Sequence, residues 1–288
     1  MQAPVFGGGW MRRPVWVYWE NFKSRPEPAY ITLCRLSMLH HWRDECVVFV
    51  TPENLEYYLP GMTRRVSRIE ADIEGRRDRI LRAFIKQRKS LAVRADVIRA
   101  NLLRTFGGIY VDASSVALGT LGRYFDVLER SDKSFLISQR ETHGRSDYPV
   151  GFYGCRTGSD IIEEYVSQID ALLAHSCEFD YNGLGTILLS PIVRSKIDQA
   201  YVIPEAEIMP VTYERADSMY TGPADTLSLG DGASMAVFKL FNSPFSGPLA
   251  RLTVEQLYQA DMFIGELFRT AIPESVFQSY LSRRGAVG

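Results

Sequence analysis

Three charged residues near the middle of the chain have the types and the spacing of a site for a charged ligand. Asp96 and Arg99 are three positions apart, so on a helix they lie side by side on one flank. Asp112 directly follows residues 109–111 (IYV), a short apolar run that is typical of a buried strand. A carboxylate at the carboxyl end of a strand suits a hard divalent cation that bridges the oxygens of a diphosphate. We therefore predict a ligand site at which positive charge offsets the charge on a leaving phosphate.

A helix and a tight turn must position these side chains. Residues 75–106 have a helical, strongly basic pattern. Apolar residues of this segment repeat at steps of three and four, which makes one apolar stripe: Leu91, Ala95, Ile98, Leu102 and Phe106. Gly107 and Gly108 then supply a left-handed stop for the helix. The chain is thereby turned directly into the strand that ends at Asp112.

The remaining segments alternate between the two periodicities. Strands are predicted at residues 15–19 (VWVYW), 47–50 (VVFV), 135–138, 148–153 and 235–241. Helices are predicted from Pro28 towards Trp42, at 159–174, after the glycines Gly183 and Gly185, and over the last forty residues. This alternation predicts an α/β fold, a doubly wound sheet with parallel strands and a nucleotide at its carboxyl edge.

Length and charge limit the alternatives. The chain has 288 residues, 46% of them hydrophobic, which is enough for one large core. We expect a flexible arm over residues 1–13 and a single domain over 14–288. Lys and Arg total 33 against 34 for Asp and Glu, so no basic excess indicates a nucleic-acid partner.

The N-terminal residues lack the apolar core of a signal peptide, and no segment approaches the roughly 20 apolar residues of a membrane span. These observations predict a cytoplasmic protein, with peripheral contact with a membrane left open.

The segment around the charged residues resembles a known family. Residues 94–114 (RADVIRANLLRTFGGIYVDAS) are similar to the DXD-type sugar transferases, in the branch with capsular-polysaccharide synthesis proteins and the catalytic domains of large glucosylating toxins. The family pattern is an Ala/Ser-x-Asp-x-x-Arg helix, a Gly-Gly turn, an aromatic and an apolar residue, then Asp-x-Asp or Asp-Ala-Thr. Residues 15–21 (VWVYWEN) resemble the family's N-terminal strand, and residues 237–243 (VFKLFNS) are similar to a late Lys-Leu element of the capsule branch.

The resemblance implies a GT-A-like, Rossmann-type nucleotide-sugar-binding fold. It further implies a metal-assisted hexosyltransferase that uses Mn²⁺ or Mg²⁺ and moves a hexose from a UDP-sugar to a glycan or lipid-linked glycan, with retention of anomeric configuration, in surface or capsular polysaccharide synthesis. Asp96 and Arg99 would bind the sugar hydroxyls, with Arg99 also near the phosphates, and Asp112 would bind the metal. Tyr110 would line the donor pocket, and Trp19 would stack on the uracil base.

The late part of the site departs from the family pattern. Ser114 stands where the second acidic residue is expected, although the capsule branch carries threonine there. Lys239 would lie near the diphosphate, and Asn242 or Ser243 would complete the metal shell with Ser114. No histidine follows His175, whereas some relatives use a late histidine as a metal ligand.

Other interpretations stay open at this point. Asp96 and Arg99 could form an ordinary surface ion pair, Trp19 could be a core residue, and Lys239 could be a solvated strand lysine. Rival functions are a non-catalytic partner protein that binds a nucleotide-sugar or glycan, and an effector that glycosylates a host protein. The basic run over residues 76–89 fits a solvated helix face, or secondarily a surface for anionic lipid or a lipid-linked acceptor.

Overall fold

A computed structural model describes residues 13–22, 25–72, 79–142, 145–223, 235–247 and 249–285. The predicted N-terminal arm, apart from Arg13, lies outside these residues. The prediction that residues 14–288 form one domain stays a prediction.

The strands are short. They are β1 Pro14–Tyr18, β2 Cys46–Val50, β3 Glu70–Ala71, β4 Gly108–Val111, β5 Ser115–Ala117, β6 Phe135–Ser138, β7 Arg140–Thr142, β8 Arg145–Asp147, β9 Phe152–Cys155, β10 Glu178–Phe179, β11 Ala200–Ile203 and β12 Val237–Lys239.

The helices vary widely in length. They are α1 Ala29–His41, α2 Leu55–Tyr58, α3 Met62–Val66, α4 Arg79–Phe106, α5 Gly122–Arg130, α6 Asp160–His175, α7 Thr186–Ser195, α8 Tyr213–Tyr220, α9 Val254–Tyr258, α10 Phe263–Ala271 and α11 Glu274–Gly285. Within the described ranges, none of them combines the length and the apolar character that crossing a bilayer requires.

The central sheet has six strands in the order β11-β6-β9-β4-β1-β2. Strand β1 pairs in parallel with both β2 and β4, and β11 pairs in parallel with β6. Strand β9 runs antiparallel to both of its neighbours, β4 and β6. The predicted α/β, Rossmann-type class is therefore confirmed, but the sheet is mixed and not parallel throughout.

Both faces of the sheet are covered, and the pleat decides which residue faces which layer. Val15 and Val17 of β1 belong to a core shared with α1 and the C-terminal helices. Trp16 and Tyr18 belong to a second core shared with α4, α6 and α7. In β4, Tyr110 lies in the second core. Asp112 has the same phase as Tyr110, so the strand directs it towards α4.

Two sequence predictions need correction at their boundaries. The strand predicted at 148–153 begins only at Phe152 and ends at Cys155, because Pro149 cannot donate to a ladder and a turn precedes the strand. The strand predicted at 235–241 is confined to Val237–Lys239. It pairs with β5 outside the central sheet, in the register Lys239 opposite Ser115.

Candidate active site

The turn between α4 and β4 sets the geometry of the site. Gly107 and Gly108 have φ values of 65° and 90°, in the left-handed region that favours glycine. The chain therefore reverses direction at the turn, so that β4 runs back alongside α4. Counting back along the helix at about 1.5 Å per residue and forward along the strand at about 3.3 Å per residue brings Arg99 level with Asp112. Local geometry alone places the three predicted charged residues together.

Arg99 is the hub of this cluster. Its Nη1 donates to Asp112 Oδ1 at 3.0 Å and to the carbonyl oxygen of Val150 at 2.6 Å. Its Nη2 lies 3.1 Å from Asp96 Oδ1, and its Nε donates to the carbonyl of Ala95 at 3.2 Å. Four of the five N–H donors thus have protein acceptors. Arg99 is committed mainly to holding the two carboxylates in place.

Asp112 is shared between two cations. Its Oδ2 lies 2.9 Å from Lys239 Nζ, while Oδ1 takes the bond from Arg99. Lys239 Nζ also donates to Ser114 Oγ at 2.5 Å. Burial by itself would raise the pKa of Asp112, but Lys239 and then Arg99 outweigh it and lower that pKa. Asp112 is therefore an anion held between two positive charges.

Lys239 reaches Asp112 through the small sheet. Strand β5 begins three residues after Asp112, and β12 pairs with it so that Lys239 lies opposite Ser115. The backbone N–H of Leu240 donates to the carbonyl of Ser114 at 2.8 Å, which extends the pairing towards the site. A residue more than a hundred positions away is thereby brought beside the motif. The structure confirms that Lys239 is not a solvated strand lysine.

Asp96 is the most deeply buried acid of the cluster. Burial raises its pKa to about 7, with Arg99 opposing the shift and Asp112 adding to it. The backbone of Gly185, directly before α7, lies against this carboxylate. A Cβ on Gly185 would come within 2.7 Å of Asp96 Oδ2. The interpretation of Asp96 and Arg99 as a surface ion pair is therefore wrong.

Two tyrosines line the buried side of the cluster. The ring of Tyr110 lies 5.0 Å from the Arg99 guanidinium, in a cation–π contact. Its hydroxyl hydrogen-bonds Asp112 and helps to lower the pKa of that carboxyl. Tyr153 is fully buried nearby, and among the described residues its hydroxyl has no hydrogen-bond partner. Tyr110 is itself almost completely buried, so its predicted contact with the donor stays a prediction.

Trp19 and Asn242 lie at the periphery of the site. Trp19 follows the carboxyl end of β1, the strand next to β4, and its indole N–H donates to Asn21 Oδ1 at 2.7 Å. It is half-buried, so one part of the ring is available for the predicted stacking on a base. Asn242 is exposed, and its Oδ1 accepts a bond from the Tyr30 hydroxyl at 3.2 Å.

The donor set does not fit the divalent cation that the resemblance implies. Both oxygens of Asp112 are ion-paired, and Ser114 Oγ accepts from Lys239. In the part of the chain that the structure describes, no three His, Cys, Asp or Glu side chains are grouped as metal ligands. The metal roles of Asp112, Ser114 and Asn242 stay predictions. In this structure the side chains of Arg99 and Lys239 supply the positive charge at Asp112.

Sequence reasoning missed the backbone that closes the cluster. The carbonyl of Val150 accepts from Arg99, and that of Gly151 accepts from the Asp112 N–H at 2.8 Å. A Cβ on Gly151 would lie 3.0 Å from both Asp112 Oδ2 and Lys239 Cε. The glycines in the segments YPVGFYG and YNGLG were the available signal, because glycine often marks a close backbone approach.

The basic run is only partly described. Lys86 pairs with Glu70 at 2.7 Å and with Glu178, which is consistent with a salt-bridged helix face. Lys89 lies over the ring of Tyr181, a partly exposed side chain in the loop before α7. Residues 76–78 of the run lie outside the described residues.

An open depression of about 510 Å³ lies away from this cluster. It is lined by charged and polar side chains of α4, α6 and the chain after α7: Arg104, Asp160, Glu163, Glu164, Ser167, Asp170 and Lys196. None of the predicted site residues lines it. Its position near the C-terminal end of α4 puts it towards the opposite edge of the sheet from Asp112.

Comparison with known proteins yields only remote structural likenesses. No protein-family model and no curated protein sequence matches the chain. The fold is similar to the PaToxG glycosyltransferase, with a TM-score of 0.42 and 13% identity over 65% of this chain and 70% of that one.

It is also similar to mouse xyloside xylosyltransferase 1, with a TM-score of 0.44 and 9% identity over 78% of this chain and 96% of that one. The glycosyltransferase GlyE of Streptococcus pneumoniae matches with a TM-score of 0.45 and 10% identity over 94% of this chain and 64% of that one. These are likenesses of the fold alone, and they assign no reaction, donor or acceptor.

Proposed function

We propose that this chain is a glycosyltransferase that moves a hexose from a UDP-sugar to a glycan or lipid-linked glycan, with retention of configuration, in the assembly of a surface polysaccharide. One observation carries the proposal: Asp96, Arg99, Asp112 and Lys239 form a single buried charge cluster beside the carboxyl ends of β1 and β4. That edge is where α/β sheets bind nucleotides. Three of these residues belong to the segment that resembles the sugar transferases.

The proposed reaction exchanges one bond at the sugar. The bond between C1 and the β-phosphate oxygen breaks, and its electron pair stays on the nucleoside diphosphate. The acceptor's hydroxyl oxygen forms the new bond to C1, and its proton goes to the departing diphosphate. The products are a glycoside and a nucleoside diphosphate. Charge develops on the leaving oxygen, so a nearby cation favours the transition state.

The side chains divide this work by their chemistry. A carboxylate accepts hydrogen bonds from sugar hydroxyls, and Asp96 is assigned that part. Arg99 positions Asp96 and Asp112, because most of its donors are already engaged with protein acceptors. Lys239, whose side chain keeps 14% of its surface exposed, supplies positive charge towards the diphosphate. Trp19, directly after β1, is assigned to stack on the uracil base.

A donor screen tests the proposal. We expect a UDP-sugar to raise the thermal unfolding temperature, because a ligand that binds only the folded state stabilises it. Incubation with that donor should release UDP, and Asp112→Asn should lower the rate by about 10²-fold or more. Asp170→Asn is the matched control, because Asp170 is an exposed carboxylate in an ion pair with Arg65. It should leave the rate unchanged.

Three outcomes would count against the proposed enzyme or its site. If no nucleotide-sugar shifts the unfolding temperature, the cluster is not a donor site. Binding of a donor without release of diphosphate, in the presence of glycan acceptors, would favour the non-catalytic partner protein. Release that is equally fast in wild type and Asp112→Asn would show that catalysis occurs elsewhere.

A further inference from the structure

Lys239 occupies a position that a bridging metal ion would take. Its Nζ lies 2.9 Å from Asp112 Oδ2 and 2.5 Å from Ser114 Oγ. These two oxygens are the ones that the sequence motif offers to a dication. An ammonium has three N–H donors, and two of them are used here. In the described chain no third acceptor is found for Lys239, so one donor is left for an incoming oxygen.

A dication and this ammonium exclude one another. A dication bound to Asp112 Oδ2 would lie about 2.0–2.6 Å from that oxygen, and Lys239 Nζ is hydrogen-bonded to the same atom. A dication and an ammonium that both contact one oxygen lie close together, and they repel strongly in a partly desolvated site. Arg99 adds a further positive charge at the other oxygen of the carboxylate, 3.0 Å away.

The packing holds the lysine in this position. Lys239 is the last residue of β12, and its N–H donates to the carbonyl of Ile208 at 2.8 Å. Its Cε is close to Gly151, where any Cβ would come within 3.0 Å. Strand pairing and the bond to Ile208 thus fix the backbone of Lys239, and Gly151 confines its side chain. The ammonium is held in place by the protein itself.

We propose that Lys239 replaces the divalent cation, so that this chain binds the diphosphate of its donor and transfers the sugar without metal. The inference rests on the proposed function and adds the source of the positive charge. When the C1–oxygen bond breaks, the Lys239 ammonium offsets the negative charge that develops on the β-phosphate oxygen. Asp112 and Ser114 orient that ammonium and do not ligate a metal.

Calorimetric titration of the full chain with UDP, in EDTA and in Mn²⁺ or Mg²⁺, tests the inference. We expect wild type to bind UDP in EDTA, with no gain in affinity on adding either metal. Lys239→Met removes the charge and should weaken UDP binding about 10- to 100-fold, the cost of one charged hydrogen bond. Added metal should not restore it. Donor turnover by wild type should persist in EDTA, and Lys239→Met should lower it about 10²–10³-fold.

Lys133→Met is the matched control, because this lysine donates to the carbonyl of Asp198 on the surface. It should leave both UDP affinity and turnover unchanged. Should Lys239→Met fail to fold, Lys239→Gln keeps a hydrogen-bond donor for Asp112 and Ser114 without the charge, and it takes its place. The comparison of wild type in EDTA and in metal needs no variant.

The outcomes separate this inference from the proposed function. UDP binding that requires Mn²⁺ or Mg²⁺ and is lost in EDTA would overturn the inference and leave the glycosyltransferase standing. UDP affinity of Lys239→Met equal to that of wild type would also overturn it. Absence of UDP binding under every condition would reject the UDP-sugar proposal and the inference with it.

Discussion

Helix α4 carries two arginine ion pairs that differ strongly in exposure, one in the Asp112 cluster and one near the C-terminal end of the helix. Arg99 lies 3.1 Å from Asp96, and the two side chains are 8% and 6% exposed. Arg104 lies 2.9 Å from Glu163, and these side chains are 43% and 44% exposed. The shorter pair is the exposed one, in the open acidic depression.

The difference shows that burial, and not separation, decides what an ion pair does. In water, an exposed pair contributes under about 1 kcal/mol, since solvent and salt screen it. In the buried cluster each charge needs its partner, and removal of one partner costs about 3–5 kcal/mol. The same burial raises the pKa of Asp96, and strongly shifted pKa values are concentrated at functional sites. We therefore expect function at the Asp112 end of the helix.

Among the substitutions, Arg99→Lys should cause the largest loss of stability, and Arg104→Lys is its matched comparison. Arg99→Lys keeps the charge but has three donors for four contacts, so a buried carbonyl or carboxylate loses its partner. We expect the free energy of unfolding to fall by about 3 kcal/mol. Arg104→Lys should change it by less than about 0.5 kcal/mol. Urea unfolding of both variants provides the comparison, and similar losses at the two positions would contradict the role given to burial.

A smaller effect is expected from filling the space above Asp96. Gly185→Ala places a methyl group 2.7 Å from Asp96 Oδ2, so the carboxylate must move. We expect the free energy of unfolding to fall by about 1–2 kcal/mol, and affinity for an intact UDP-sugar to fall more than affinity for UDP. Calorimetry with both ligands measures this.

The control for that substitution is Gly122→Ala, where the new Cβ would meet only ordinary contacts at 3.8 Å. It should leave both affinities unchanged. Equal losses for UDP and UDP-sugar in Gly185→Ala would show that Asp96 does not bind the sugar.

A further effect is the pH dependence of stability from Asp96. Its pKa is about 7 in the folded chain, against the ordinary aspartate value of 3.8 that holds in the unfolded chain. Between these values the folded state binds the proton more tightly, so the free energy of unfolding falls as the pH rises from about 4 to about 7. Asp96→Asn cannot titrate and should flatten this slope. Urea unfolding at several pH values tests it, and an unchanged slope would mean that Asp96 titrates normally.

Much of the fold could be predicted because its signals are local. The strands at β1, β2, β4 and β6 and the helix start after Pro28 follow from apolar runs and from the conformation of proline. The antiparallel direction of β9 could not be predicted, because strand direction depends on the length and path of the connection and not on the apolar pattern. The bounds of the strand predicted at 148–153 were misplaced for a related reason, since an apolar run contains turns as well as strands.

The sequence by itself determined the arrangement of Asp96, Arg99 and Asp112. A helix, a two-glycine turn and a strand have fixed rises per residue, so spacing along the chain converts directly into position in space. Only the tertiary structure decided what surrounds that arrangement. Lys239 lies at the carboxylate because β12 pairs with β5 across more than a hundred residues, and Gly185 covers Asp96 because α7 packs against α6. Such contacts depend on long-range packing, which no local spacing encodes, and that packing places Lys239 beside Asp112, the predicted metal ligand.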